Sequence, residues 1–202
     1  MTTPTSGPRK LTLDDIADVR AYERERADFR AAVMETKRRR RIPFGTIISL
    51  MFENRETMRL QIQEMARVEK LVTDEAIQLE IDTYNSMIPD PGQLCATVFL
   101  ELTSDDQMRE WLPKLVGIER SFTIVLPNGD RVRSITEEQH AEQLTRENVT
   151  AAVHYIRFEL TPAQVESFVS GSVRIDIEHP EYLESVELSE ASRAELIADL
   201  QP

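Results

Sequence analysis

The chain has 202 residues, of which 41% are hydrophobic and 30% charged, a balance typical of a folded globular protein rather than a disordered one. Its formal net charge of -12 opposes binding to nucleic-acid phosphates, and no apolar run approaches the roughly 20 residues that a membrane-spanning helix needs. We therefore expect a soluble, cytoplasmic protein that binds neither nucleic acid nor membranes.

The amino terminus divides into a short tail and a marked helix start. Residues 1–8 contain Thr, Pro, Ser and Gly without an apolar run, so we expect a disordered tail, followed by a single domain over residues 9–202. Thr12 and Asp15 have the spacing of a capping box, which predicts a helix beginning there. The helix should end before Pro43, because the residue before a proline avoids helical backbone angles.

Three segments alternate apolar and polar residues around turn-forming residues, and we interpret them as β-hairpins: residues 47–62, 122–135 and 173–188. In the first, residues 53–56 are the predicted turn, and Met58, Leu60 and Ile62 form one face of the return strand. In the second, Asn128-Gly129 is suited to the positive φ angles of a tight turn. Three hairpins predict a largely antiparallel sheet.

Helical patterns and a polar loop complete the predicted elements. Residues 64–88 carry helical spacing with a break near Thr73-Asp74, and residues 189–200 form a final helix. Residues 136–150 are polar and acidic, and we expect a mobile surface loop there. The predicted class is α+β, with amino-terminal, central and carboxy-terminal helices beside the antiparallel sheet.

Two stretches resemble each other. Residues 96–103 and 154–161 both read as strands ending in Glu-Leu-Thr, and each leads into a short helix and then a hairpin. Thr103 and Thr161 are the predicted caps of those two helices. The similarity indicates an internal strand-helix-hairpin duplication, although chance recurrence of a strand-Thr-helix junction explains it equally well.

Positive charge is concentrated at the start of the chain. Residues 1–41 contain 11 Lys or Arg against 7 Asp or Glu, whereas the remainder contains 13 against 29. The densest run is Lys37, Arg38, Arg39, Arg40 and Arg41, which we consider as a partner-binding site because guanidinium groups bind carboxylates bidentately. The alternative is an intramolecular role, since cations at a helix end oppose the negative end of its dipole.

No recognisable catalytic set is present, so no catalytic residue and no cofactor is assigned. Cys95 is the single cysteine, and apolar neighbours favour a structural thiol. The candidates for a metal or polar site are Glu64, Glu69, His140 and His154. The alternative for His154 is a core histidine, since it shares a strand face with Ile156 and Phe158. His179 precedes a proline and is expected to have a turn role.

Several motifs resemble one bacterial family of about this length, a domain of unknown function: KLTLDDI (10–16), AYERER (21–26), KRRRR (37–41), FENRET (52–57), QIQEM (61–65), YN (84–85), IP (88–89) and WLPKL (111–115). Such proteins are often encoded beside rubrerythrin-like proteins and an iron-sulphur protein similar to heterodisulfide reductase subunits. The resemblance therefore implies an accessory role in an oxidative-stress or electron-transfer module.

Two hypotheses follow. The first is a non-enzymatic interaction protein, self-associating as a homodimer or docking a rubrerythrin-like or iron-sulphur partner through its charge asymmetry. The second is a metal-binding protein or enzyme whose Glu and His residues form a site only in the folded chain.

Overall fold

The computed structural model describes residues 9–136 and 149–201. In this part the chain forms six α-helices and two antiparallel sheets, which confirms the α+β class. The helices are α1 (Val19–Arg40), α2 (Arg55–Glu69), α3 (Asp74–Asn85), α4 (Asp105–Lys114), α5 (Pro162–Ser170) and α6 (Glu190–Leu200). The strands are β1 (Arg41–Phe44), β2 (Ile48–Glu53), β3 (Gln93–Leu100), β4 (Phe122–Val125), β5 (Arg131–Arg133), β6 (Ile135–Thr136), β7 (Val153–Glu159), β8 (Arg174–His179) and β9 (Tyr182–Glu187).

The two sheets pack against each other around the main hydrophobic core. The strand order is β1-β2-β3-β7-β6 in the five-stranded sheet and β5-β4-β8-β9 in the four-stranded sheet. Buried side chains from both sheets meet in one cluster, where the rings of Phe44 and Phe122 lie edge to face with centroids 5.9 Å apart. The opposite face of the five-stranded sheet is covered in part by α2 and α3, and a second cluster forms there around Met58, Ile62 and Ile81.

Two of the three predicted hairpins are confirmed. β4 pairs with β5 around Asn128-Gly129, and β8 pairs with β9 around the turn at His179. His179 has the predicted turn role, because its Nε2 lies 3.1 Å from the Val116 carbonyl oxygen and its Nδ1 accepts from the Glu181 amide at 3.2 Å. Both ring nitrogens of this histidine are therefore used to hold the turn.

The first predicted hairpin is wrong in its second half. β2 ends at Glu53, and Met58, Leu60 and Ile62 lie on α2. Asn54 is the helix cap: its Oδ1 accepts from the Thr57 amide at 3.0 Å, and Thr57 Oγ1 accepts from the Asn54 amide at 2.9 Å. This reciprocal cap starts a helix where the alternating pattern predicted a strand.

The actual first hairpin joins β1 to β2 and lies further upstream. Arg41 pairs with Met51 and Phe44 with Ile48, and the connection begins at Gly45. Gly45 has a φ of +57°, a left-handed backbone angle that favours glycine.

The helix termini correct and confirm several predictions. The box of Thr12 and Asp15 caps a short 3₁₀ turn, Leu13–Asp15, and α1 begins later, with Asp18 accepting hydrogen bonds from the amides of Arg20 and Ala21. The end of α1 before Pro43, the break between α2 and α3, and the final helix are confirmed. The predicted loop over residues 136–150 falls mostly outside the described residues.

The strand-helix-hairpin order is present twice. β3, α4 and the β4-β5 hairpin form one unit, and β7, α5 and the β8-β9 hairpin form the other. β3 pairs with β7 and β4 pairs with β8, so equivalent strands of the two units are neighbours. Thr161 caps α5 as predicted, but Ser104 rather than Thr103 caps α4.

Candidate functional site

One residue of the basic run at the end of α1, Arg40, lies in the protein interior. Arg40 is 1% exposed, its Nε donates to the Phe52 carbonyl oxygen at 2.9 Å, and its Nη2 donates to the Glu53 carbonyl oxygen at 3.1 Å. Its guanidinium also forms an ion pair with Asp199 on α6. The Arg40 side chain therefore lies in the interior, which fits the intramolecular alternative for the run rather than a surface contact.

Other residues of the run also have acidic neighbours within the chain. Arg38 pairs with Glu35 at 2.7 Å, and Arg39 pairs with Glu195 of α6 at 2.7 Å. Arg41 pairs with Glu101 at 3.0 Å and stacks over the Phe99 ring. Much of the positive charge of α1 is thus balanced intramolecularly, and partner binding by Lys37, Arg38, Arg39 and Arg41 stays a prediction.

Glu64 takes part in the packing of α1 on α2. Arg26 binds its carboxylate bidentately at 2.8 and 2.9 Å, and the Tyr22 hydroxyl donates to it at 2.6 Å. The hydrogen bond from Arg26 lowers the pKa of Glu64 from 4.5 to about 2, despite partial burial. These contacts are those of a structural ion pair.

The other predicted metal or polar residues lie apart from Glu64. Glu69 is exposed at the end of α2, and His154 is buried in β7. His140 lies outside the described residues. Within residues 9–136 and 149–201, no three His, Cys, Asp or Glu side chains are grouped so that they could hold a metal ion.

His154 belongs to a buried polar cluster whose other members, Thr150 and Glu119, the sequence did not indicate. Its Nε2 lies 2.8 Å from Thr150 Oγ1 and 2.9 Å from the Ala151 carbonyl oxygen. Burial lowers its pKa below 6.5, while the carboxylate of Glu119 opposes that shift. Glu119 is 6% exposed, and its Oε2 has no hydrogen-bond partner. Nothing in the local sequence marks Glu119, since only the fold brings its 3₁₀ turn, Ile118–Arg120, beside β7.

A cleft of about 300 Å³ opens between the start of α1 and the connection from α2 to α3. Most of its lining is apolar, with the Asp18, Asp74 and Arg20 side chains among the exceptions. The other lining residues are Leu13, Ile16, Ala17, Val19, Ala66, Leu71, Val72 and Ile77.

Exposed apolar side chains lie on the helical hairpin beside this cleft. Val68, Val72 and Leu79 are 67%, 81% and 67% exposed. Together with the exposed carboxylates of Glu69, Asp74, Glu75 and Asp82, they form what we call the α2-α3 surface. Within residues 68–85 the exposed cation is Lys70, so this surface is acidic as well as apolar.

None of the helices in the described part combines the length and apolar character needed to cross a bilayer. A comparison with curated proteins finds no match. Among solved structures, the chain is similar to a novel protein of unknown function from Burkholderia pseudomallei K96243, with 33% sequence identity and a TM-score of 0.87. The alignment covers 95% of this chain and 100% of that one. The family model described as "Protein of unknown function (DUF3501)" matches residues 10–200, and the chain therefore belongs to the DUF3501 family.

Proposed function

We propose that the protein is a non-enzymatic interaction protein that binds a partner protein through the α2-α3 surface. The observation that carries the proposal is the exposure of Val68, Val72 and Leu79 on one helical hairpin. Large apolar side chains grouped on a surface and bordered by charge are typical of protein-protein interaction sites.

The apolar cleft beside Val72 gives the surface a place for an anchoring side chain. Its volume of about 300 Å³ is large enough for an apolar side chain of a partner, and Leu13, Ile16 and Ile77 supply apolar walls. Burial of such an anchor would supply affinity, while the carboxylates around it would favour one sign of partner charge.

Charge complementarity favours a basic amphipathic segment as the occupant. Four exposed carboxylates and one exposed lysine lie within residues 68–85, and the whole chain carries a net charge of -12. An amphipathic helix with an apolar stripe and flanking Lys or Arg would match both features of the surface.

The family resemblance suggests which proteins to examine first. We propose that the partner belongs to an oxidative-stress or electron-transfer module and is a rubrerythrin-like or iron-sulphur protein. A second copy of the chain is the competing occupant, and a homodimer would then form through the same surface.

The metal-binding or enzymatic alternative receives less support from the described residues. Glu64 is occupied by Arg26 and Tyr22, and His154 is buried in the sheet away from it. A reaction would need groups that converge on an open pocket, and these two residues do not.

The experiment is copurification from the native host, followed by reconstitution with the purified partner identified by mass spectrometry. Val72→Asp and Leu79→Asp should each weaken the reconstituted complex at least about tenfold, because each places a carboxylate in the apolar contact. Leu183→Asp is the matched control, since Leu183 is 74% exposed on β9 rather than on the helical hairpin.

Equal affinity of the Val72→Asp, Leu79→Asp and control proteins would overturn the proposed surface. Light scattering on the isolated protein separates the two occupants. A dimer that Val72→Asp dissociates would support self-association and would count against a separate basic partner.

A further inference from the structure

A buried carboxylate on the five-stranded sheet is only half satisfied by the protein. Glu53 ends β2 and is 4% exposed. Its Oε1 accepts a hydrogen bond from Thr97 Oγ1 at 2.8 Å, whereas its Oε2 is buried without a hydrogen-bond partner. Because unpartnered buried acceptors are costly, such an oxygen indicates a group that completes the site.

Two tyrosines lie near this carboxylate. Tyr155 of β7 is directly opposite Thr97 of β3, the residue that binds Glu53. Tyr84 of α3 packs with Tyr155 against the same hydrophobic cluster between the sheet and the helices. Both tyrosines are partly exposed, so each side chain is in contact with solvent as well as with the cluster.

The electrostatic surroundings of the two phenols are negative. Burial raises the pKa of both tyrosines above 10, and the Glu53 carboxylate contributes to the shift of Tyr155. A hydrogen bond with the Gln61 side chain opposes the shift of the Tyr84 pKa, whereas Glu80 and Glu69 contribute to it. These shifts place three carboxylates within electrostatic reach of the tyrosine pair.

Two neighbouring cations contact groups other than the Glu53 carboxylate. The Nη2 of Arg40 donates to the main-chain oxygen of Glu53 rather than to its carboxylate. Arg157, two residues along β7 from Tyr155, binds Glu159 at 2.9 Å. Within the described ranges, no ion pair of the protein reaches the Glu53 carboxylate.

We propose that Glu53, Tyr84 and Tyr155 form a binding site for the protonated amine of a small organic ligand. An ammonium group supplies the hydrogen-bond donor that Oε2 lacks and the positive charge that the carboxylate lacks. Tyrosine hydroxyls accept further N–H bonds, and aromatic faces attract organic cations. A divalent metal ion fits less well, because the described part groups no three carboxylate, imidazole or thiolate ligands.

This inference goes beyond partner docking, and the two proposals fail separately. Glu53, Tyr84 and Tyr155 are not residues of the α2-α3 surface. A protein without amine affinity could still bind its partner through Val72 and Leu79, and the converse also holds.

The test is titration of the full chain with n-butylamine at neutral pH and constant ionic strength, measured by calorimetry and by tyrosine difference absorbance. n-Butanol is the neutral probe of similar shape, and Mg²⁺ is the metal probe. We expect saturable binding of the amine and none of the alcohol, because the charge and its N–H donors carry the recognition.

Two variants and one control locate the binding. Glu53→Gln keeps the shape of the side chain and should weaken amine binding at least about tenfold. Tyr155→Phe leaves the carboxylate intact and should weaken binding less, which gives a second reading if Glu53→Gln folds poorly by circular dichroism. Glu101→Gln should bind as the wild type, since the Glu101 carboxylate is occupied by Ser49 and Arg41 outside this cluster.

Absence of saturable amine binding by the wild type, or equal binding by wild type and both variants, would overturn the proposal. Glu53-dependent binding of Mg²⁺ without binding of the amine would overturn it too, because the site would then be a metal site.

Discussion

Arg40 and Asp199 form an ion pair in the protein interior, where their side chains are 1% and 12% exposed. The pair joins the last residue of α1 to the carboxy-terminal helix α6. The same guanidinium donates to the main-chain oxygens of Phe52 and Glu53, so a single side chain connects α1, β2 and α6. The most buried residue of the basic run is therefore a structural residue.

Replacement of Arg40 should be strongly destabilising. Arg40→Ala leaves Asp199 and two main-chain oxygens in the interior without their donor, and breaking a buried pair typically costs about 3–5 kcal/mol. We expect the free energy of unfolding to fall by about this amount in urea or guanidinium titrations. Arg38→Ala is the control and should cost less than about 1 kcal/mol, because the Arg38–Glu35 pair is exposed. Equal losses of unfolding free energy in both variants would contradict the structural role of Arg40.

Glu64 should make the stability of the protein depend on acidic pH. Its folded pKa of about 2 lies below the ordinary 4.5, so its stabilisation is present above pH 4.5 and is lost as pH falls towards 2. We expect a loss of about 2 kcal/mol over this range, less than the full shift implies because the side chain is 28% exposed. Unfolding titrations at several pH values measure it.

Glu64→Gln provides the comparison for this pH dependence. The amide does not titrate, so its stability curve should be flatter than that of the wild type between pH 4.5 and 2. Parallel curves for the two proteins would assign the acid sensitivity to other carboxylates.

Burial and the Glu119 carboxylate have opposite effects on the pKa of His154. Burial lowers the pKa of His154 below 6.5 and Glu119 raises it, so Glu119→Gln should lower that pKa further. Nuclear magnetic resonance of the imidazole protons measures the shift. Glu110→Gln, in an exposed pair with Lys114 on α4, is the control and should leave the value unchanged. A higher pKa in Glu119→Gln would contradict the arrangement.

The burial of His154 also gives a stability change of defined sign. Because its folded pKa is lowered, the unfolded chain takes up a proton more readily as pH falls below 6.5. The contribution of neutral His154 is therefore complete above pH 6.5 and decreases towards the lower folded pKa. A His154→Gln variant should lose this component of acid sensitivity in unfolding titrations.

The parts of the fold that the sequence predicts contain residues with few alternative backbone conformations. Asn128-Gly129 suits a tight turn, and the hairpin around it was predicted correctly. The prediction for residues 54–62 is wrong because Met58, Leu60 and Ile62 fit the period of a strand as well as that of a helix. The reciprocal hydrogen bonds of Asn54 and Thr57 favour the helix, whereas the alternating pattern predicts a turn and a strand there.

Asn54 should accordingly contribute to the stability of α2. Asn54→Ala removes the side-chain acceptor of the Thr57 amide, and we expect a loss of about 1 kcal/mol in the free energy of unfolding. Asn54→Asp keeps an acceptor at this position and should retain most of the stability. A loss in the aspartate variant as large as in the alanine variant would show that capping is not the cause.

The contacts of Arg40 and Glu53 and the exposure of the α2-α3 surface are less predictable than the fold, because they depend on residues that are distant in sequence. Asp199, the partner of Arg40, lies 159 positions away. The sequence predicts a turn at Glu53, whereas its burial depends on the pairing of β2 with β3 and on the cover from the helices. The exposure of Val68 and Leu79 likewise depends on which faces of α2 and α3 pack on the sheet. Local spacing carries none of this information.

Gly45 should tolerate a side chain poorly. A Cβ at this position would meet the Tyr182 hydroxyl, which donates to the Phe44 carbonyl oxygen at 2.8 Å, and the backbone φ of +57° adds strain. We expect Gly45→Ala to lower the free energy of unfolding by about 1–3 kcal/mol. Gly129→Ala has a positive φ but open space around its Cβ, so it should cost less. The difference between the two variants isolates the steric contact. Tyr182→Phe in the Gly45→Ala background should reduce that difference, and an unchanged difference would place the cost in the backbone alone.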